Sequence, residues 1–256
     1  MRLDINDLLL IPYGSASWSI DQLAVKRISL TGFALDSAAP IIAIDRRRRE
    51  ALRLSHNPYP FSEPPDPSRL VTREERLDFL RDHLKSLCGL WNRLPLVFLD
   101  AYFRRILGCL EENRAALDAM ALPLGGLFDY RDWCFAALRP LPQAQLYAPE
   151  AGETSGFEPA ALVRVDFAFW TGEKLLAVEL VGSATPTRQR REELVRLRRH
   201  AVEVVELAGA ALQGEGEAAL AACLPASFSN FWAGVMLPSS PFAPTALDEI
   251  LPASGT

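Results

Sequence analysis

The feature that most constrains this chain is the segment Val163–Gly182, which reads VRVDFAFWTGEKLLAVELVG. Apolar and polar residues alternate on both sides of a central Thr-Gly-Glu-Lys sequence. Alternation with a period of two indicates β-strands, and a short connection containing glycine between two such runs indicates a β-hairpin. The segment therefore predicts two paired antiparallel strands joined by a tight turn.

The register of this hairpin determines which side chains meet. A turn centred on residues 172–173 places Asp166 opposite Glu179, and Arg164 opposite Val181. Side chains that are directly opposed on one face lie about 5 Å apart at Cβ. Two carboxylates at that distance repel each other, so a cation, often a divalent metal ion, is expected between them. The sequence thus predicts a site built around this acidic pair.

Composition places the chain among ordinary globular proteins and gives no global attraction to nucleic acid. Its 256 residues are 49% hydrophobic and 23% charged, with a net charge of −5. Binding of a polyanion would therefore need a local basic patch. The four cysteines include no CxxC pair, so we expect buried free thiols rather than a zinc site or a disulfide framework. The N-terminus does not resemble a signal peptide and no apolar run reaches membrane-spanning length, so the cytoplasm is the expected location.

Three regions follow from the pattern along the chain. Residues 1–124 are mixed but mainly helical and have no assigned role, 125–235 carry the hairpin, and 236–256 form an irregular tail. A Pro-rich stretch at 57–68 predicts a loop. The predicted strands include 40–45, 143–147 and 202–207, with a further strand over 24–35 in which Gly32 marks a turn. Helices are predicted after the capping-box residues Thr72 and Glu75, over about 97–121, and over 129–138, 187–200 and 215–223.

The order helix, strand, hairpin, helix, strand over about 129–207 resembles the restriction-endonuclease-like PD-(D/E)xK core. It is most similar to the compact branch that includes very-short-patch-repair-type endonucleases and the bacterial DUF559 domains. The matching residues are the motifs ALR at 137–139, VDF at 165–167 and ELVG at 179–182, followed by an Arg-rich helix and a strand ending in an apolar pattern. The resemblance covers about a third of the chain. It implies an α/β fold with a mixed sheet flanked by helices.

The resemblance also implies a metal-dependent endonuclease. Asp166 and Glu179 would be the ligands of Mg²⁺ or Mn²⁺, which activates a water and stabilises charge on the phosphate. The apolar residues of both strands, namely Val165, Phe167, Phe169, Leu176, Val178 and Leu180, would pack on helices from the opposite face. Asp129 and Asp132 could bring a further carboxylate near the metal, as in some relatives.

The chain departs from the family at one position. Val181 stands where the wider superfamily has the catalytic lysine, and no histidine follows it. Lys174 is five residues from Glu179 and is a poor substitute. Arg164, opposite Val181, is the best candidate for a displaced cation, although an arginine neutralises charge without acting as a base.

An Arg-rich helix follows the acidic pair. Arg188, Arg190, Arg191 and Arg198 are candidates for contacts to nucleic-acid phosphates, DNA rather than RNA. A solvated face with Arg–Glu pairs is the alternative for these residues.

The sequence is compatible with three functional interpretations of the whole protein. The leading prediction is a metal-dependent endonuclease that uses Asp166, Glu179 and Arg164. The second is a catalytically degenerate nuclease fold that binds DNA or a protein. The third is a structural partner that assembles through its helical region, a homodimer being one form of assembly. At the level of the residues, the acids and Arg164 could also form a surface salt-bridge cluster without a function.

Overall fold

The computed structural model describes residues 8–14, 24–27, 33–36, 41–55, 72–89, 93–124, 129–149, 161–183 and 185–223. The predicted loop at 57–68 and the predicted tail at 236–256 lie outside the described residues. The described strands are β1 Leu8–Pro12, β2 Ala24–Arg27, β3 Phe33–Asp36, β4 Ile41–Asp45, β5 Leu141–Tyr147, β6 Leu162–Trp170, β7 Leu175–Val181 and β8 Glu203–Ala208. The described α-helices are α1 Arg73–Ser86, α2 Arg93–Glu112, α3 Arg114–Ala121, α4 Arg188–Arg199 and α5 Gly209–Cys223.

A four-stranded mixed sheet, in the order β5–β6–β7–β8, lies at the centre of the fold. The first three strands form an antiparallel meander, and β8 runs parallel to β7. A parallel neighbour requires a crossover, and α4 supplies it. The expected α/β class, a mixed sheet flanked by helices, is therefore what the chain forms.

The predicted hairpin has the predicted register. Phe167 pairs with Val178 and Trp170 with Leu175, around a turn of four residues at 171–174. Gly172 adopts φ +95°, and a Cβ on this residue would lie 2.5 Å from the carbonyl oxygen of Arg49. Glycine is required there both for the backbone conformation and for the close approach of the preceding segment.

Two pairs of strands near the N-terminus stand outside the central sheet. β1 pairs with β4, the strand predicted at 40–45, and β2 pairs with β3. The stretch at 24–35 therefore contains two short antiparallel strands instead of one, and Gly32 lies outside the described residues.

The helices agree with the sequence at their caps and differ in continuity. Thr72 and Glu75 form the predicted capping box at the start of α1. The helix predicted over 97–121 is divided at Asn113, where the backbone leaves the helical region and α3 begins. The segment at 129–138 contains a 3₁₀ helix, Tyr130–Ala136, rather than an α-helix. Every residue from 133 to 140 is buried, and the restriction that Pro140 places on the preceding residue opposes a longer helix.

Two hydrophobic clusters cover the two faces of the sheet. On one face α2 packs against β6, with the rings of Phe98 and Phe167 4.4 Å apart. On the other face Leu194 and Leu197 of α4 join Ala168 and residues from β1 and β4. Because α2 and β1 belong to the predicted 1–124 region, that region and the sheet share their cores.

The apolar face of the hairpin is as predicted except at one residue. Phe167, Phe169, Leu176, Val178 and Leu180 all belong to the cluster that α2 covers. Val165 was expected with them and lies instead in the cluster on the α4 side. The alternation of β6 therefore shifts near Asp166. Opposite this point β5 contains Gln143, which has a left-handed backbone, while the pairing of β5 with β6 keeps the same register on both sides of it.

The predicted buried thiols are found where the structure describes them: Cys88, Cys109 and Cys134 are buried and free. Among the described residues, no helix combines the length and the apolar character needed to cross a membrane.

Candidate functional site

Four polar side chains form a row across the four strands of the central sheet. Glu179 of β7 is in register with Glu206 of β8. On its other side, the pairing of Phe167 with Val178 makes Asp166 the next residue opposite Glu179. Asp166 in turn lies opposite Gln143 of β5, between two paired positions of that ladder. We call these four residues, Gln143, Asp166, Glu179 and Glu206, the polar row.

Asp166 is half-buried and is held by two hydrogen bonds. The backbone N–H of Leu180 donates to Oδ2 at 2.8 Å, and Gln143 Nε2 donates to Oδ1 at 3.3 Å. Burial raises the pKa of Asp166 above its usual value, although these hydrogen bonds and the charges of Arg190 and Arg164 oppose the shift. The carboxylate is therefore fixed in orientation but incompletely compensated in charge.

Gln143 was not identified from the sequence. It is buried, and it adopts φ +52°, a left-handed conformation that is uncommon for residues other than glycine. Such strain persists where the surrounding structure imposes it, often at functional sites. No residue type near Gln143 indicates this conformation, so the sequence contains no evident sign of it.

Glu179 is bound by an arginine from α4. Arg190 Nε donates to Glu179 Oε1 at 2.7 Å, and Arg190 Nη2 donates to Glu179 Oε2, so the contact is bidentate. The same guanidinium donates from Nη1 to Glu193 Oε2 and from Nη2 to the Arg164 carbonyl oxygen, both at 2.7 Å. Burial raises the pKa of Glu179 while the contact with Arg190 opposes the rise. Arg190 is thus the cation beside the acidic pair.

Arg190 was predicted to contact nucleic-acid phosphates, but the spacing of the helix already indicates that it faces the sheet. Arg190 precedes Leu194 by four residues and Leu197 by seven, and both leucines are buried against the sheet. Residues at these intervals share one face of a helix, so Arg190 faces the sheet rather than its flank. Thr187 fixes the start of this helix, because its hydroxyl accepts a hydrogen bond from the Arg190 N–H at 3.1 Å.

Arg164, the predicted electrostatic helper, has an exposed side chain. It pairs with Gln145 of β5, and the described pairing of β6 with β7 does not extend to it. Its charge acts only weakly on Asp166, and its carbonyl oxygen accepts from Arg190. Val181 is in register with Ala208 of β8. The arginine that contacts the acidic pair is therefore Arg190 of α4, which donates to Glu179.

The remaining arginines of α4 differ in their surroundings. Arg188 bonds Glu192 at 2.8 Å, and Arg198 bonds Glu206 of the polar row at 2.8 Å. Arg191 is exposed and makes no ion pair with the described residues. Asp129 and Asp132, the candidates for a further carboxylate, contact Arg73 at the start of α1 instead.

The arrangement does not fit a divalent metal ion well. Mg²⁺ and Mn²⁺ need several free oxygen ligands, and here both Glu179 oxygens are engaged by a cation. Within the described residues, no group of three or more His, Cys, Asp or Glu side chains is placed to hold a metal. The nearby thiol of Cys88 is no substitute, because burial, with a smaller effect of Asp166, raises its pKa to about 12 and keeps it protonated.

Comparisons of the chain with protein-family models, with curated proteins and with solved structures find no match.

Proposed function

We propose that this chain is a catalytically degenerate protein of the restriction-endonuclease-like class, which binds DNA without cleaving it. The order of elements supports the class: an antiparallel meander, a helix and a parallel strand, with two acids side by side on the β6–β7 hairpin. The proposal combines this order with the VDF and ELVG motifs of the hairpin.

The observation that carries the proposal is the bidentate contact of Arg190 with Glu179. A metal ion at this position would have to displace a guanidinium from a largely buried carboxylate, and Arg190 and Glu179 expose only 22% and 15% of their side chains. Partial burial strengthens such a charge-assisted pair, since water screens it poorly. Val181 also stands where the wider superfamily has its catalytic lysine. The site therefore has one acid engaged by Arg190 and no lysine at the position that assists hydrolysis.

The binding surface in this proposal is the basic rim beside the polar row. Arg164 on β6 and Arg191 on α4 are exposed, and neither makes an ion pair with the described residues. Arginine is well suited to phosphate oxygens and contributes to binding that weakens with salt. Because the chain carries a net charge of −5, DNA binding depends on local positive charge, and these two arginines are our candidates for it.

A second candidate function is metal-dependent cleavage of nucleic acid. It is favoured by the retained orientation of Asp166, whose carboxylate is held by the Leu180 N–H directly beside Glu179. Such an activity requires Arg190 to turn away so that Mg²⁺ or Mn²⁺ can bind both acids.

One set of assays tests the two functions. Single- and double-stranded DNA and RNA are incubated with the protein in Mn²⁺, and binding of the same substrates is measured over a range of salt concentrations. We expect no cleavage, and DNA binding that weakens with salt and weakens further in an R164Q/R191Q variant. Cleavage that is lost in D166A would establish the second function. Absence of DNA binding even at low salt would contradict the first.

A further inference from the structure

Two of the three carboxylates of the polar row are paired with an arginine of α4, and Asp166 is the third. Glu179 is paired with Arg190, and Glu206 is paired with Arg198. Among the described residues, Asp166 has no ion pair with an arginine and accepts hydrogen bonds from Gln143 and from the Leu180 N–H. Helix α4 therefore contacts the sheet through two ion pairs as well as through its leucines.

Arg190 lies in a shell of oxygen atoms. Its three nitrogens donate to both oxygens of Glu179, to Glu193 Oε2 and to the Arg164 carbonyl oxygen. These oxygens come from three different elements, because β7 supplies Glu179, α4 supplies Glu193 and β6 supplies Arg164. Carboxylate and carbonyl oxygens gathered from several elements are what hard divalent cations use as ligands in proteins.

We propose that Arg190 is a built-in counter-ion that stands in place of the divalent cation expected at this site, and that it excludes metal from the site between Asp166 and Glu179. The inference rests on the proposed class of fold, since that class supplies the expectation of a metal. It does not depend on DNA binding. The guanidinium joins α4, β6 and β7 through one positive charge, so the contact of these three elements needs no metal ion.

The arginine that pairs with Glu206 provides a matched control. Arg198 lies on the same helix and bonds a carboxylate of the same row at 2.8 Å. Its pair is more exposed, with 45% and 42% of the two side chains accessible, against 22% and 15% for Arg190 and Glu179. Replacing either arginine by glutamine removes one positive charge from α4, but only the change at 190 vacates the oxygen shell.

The test is binding of Mn²⁺ to the full chain, measured by the loss of the free-ion electron paramagnetic resonance signal during titration. We expect no specific binding by the wild-type protein up to millimolar Mn²⁺. The R190Q variant should gain affinity by at least tenfold, R198Q should not, and adding D166N to R190Q should abolish the gain. Wild-type binding that D166N removes would overturn the proposal, as would an R190Q variant that binds no better than R198Q.

Thermal unfolding gives a second measurement that is useful if R190Q is unstable. The wild-type Tm should be the same in Mn²⁺ and in EDTA. The Tm of R190Q should rise with Mn²⁺, whereas that of R190Q/D166N should not. If R190Q is unfolded and Mn²⁺ does not restore it, the proposal is wrong.

The two proposals fail in different ways. If the wild-type protein binds neither Mn²⁺ nor DNA, only the proposed function is contradicted. If the wild-type protein binds Mn²⁺ at Asp166 and binds DNA without cleaving it, only the proposed role of Arg190 is contradicted.

Discussion

Individual residues of the polar row carry costs that the fold has to offset. Asp166 is a half-buried carboxylate that has no ion pair with an arginine among the described residues, and Gln143 has a left-handed backbone next to it. Both features are unfavourable in isolation, because burial disfavours the charged form and the left-handed region disfavours any residue with a Cβ. Both costs can be measured by substitution.

The first prediction concerns pH. Since burial raises the pKa of Asp166, the folded protein holds that proton more tightly than the unfolded chain does. The contribution of Asp166 to stability is therefore fully present below the pKa of the unfolded chain. It is lost as the pH rises through the pKa of the folded state. D166N should be at least as stable as wild type at pH 7, with the difference vanishing in acid. Chemical denaturation at several pH values measures this, and a D166N variant that is less stable at neutral pH would contradict it.

The second prediction compares two substitutions of Gln143. Both Q143G and Q143A remove the hydrogen bond to Asp166, but only glycine relieves the left-handed strain at φ +52°. Q143G should therefore be more stable than Q143A by about 1–2 kcal/mol in the free energy of unfolding. Equal stabilities would show that the surrounding residues, rather than a strained backbone, determine this conformation.

At the scale of the elements, α4 is held to the sheet by Leu194, Leu197 and Arg190, and its start is fixed by Thr187. The sequence predicted this helix within a residue at each end, because a capping threonine and the spacing of the leucines are local features. It also predicted the register of β6 and β7 from alternation and turn residues. Which cation approaches Glu179 is set by the packing of α4 on β7, and local patterns in the sequence did not predict the contact that Arg190 makes there.

A third prediction separates the two ion pairs of α4. R190A should lower the free energy of unfolding by about 2 kcal/mol, because it leaves Glu179 partly buried without its partner. R198A should cost less than about 1 kcal/mol, as for an exposed pair. Urea denaturation of both variants gives the comparison, and an equal or reversed order of the two costs would be evidence against a central role for Arg190.

A fourth prediction concerns the cap of the same helix. T187A removes the hydroxyl that accepts from the Arg190 N–H and should cost about 1 kcal/mol. T187S keeps the oxygen and should lie close to wild type, within a few tenths. The same denaturation experiment measures both variants, and similar losses in the two would show that the cap bond contributes little.

At the scale of the whole molecule, the N-terminal helices and the sheet form one packed structure where they are described. Phe98 of α2 contacts Phe167 and Phe169, and Tyr102 donates a hydrogen bond to the Leu138 carbonyl oxygen at 2.7 Å. The sequence assigned residues 1–124 no role in the nuclease-like region. It could not show this packing, because an apolar stripe on a helix does not reveal which surface it will cover.

A fifth prediction follows from this shared core. F98A should destabilise the protein by about 3–5 kcal/mol, as for a large buried aromatic residue. A fragment that begins at residue 125 would expose the α2-facing side of the sheet and should not unfold cooperatively. Circular dichroism during thermal unfolding tests both, and a fragment with a sharp transition near the wild-type Tm would establish an independent domain.

The most direct test of the central claim is a crystal structure of the wild-type protein grown in millimolar Mn²⁺, with anomalous diffraction used to locate the metal. The account predicts no anomalous peak between Asp166 and Glu179, with the guanidinium of Arg190 bound to both Glu179 oxygens. A manganese peak bridging the two carboxylates, with Arg190 turned away, would contradict it.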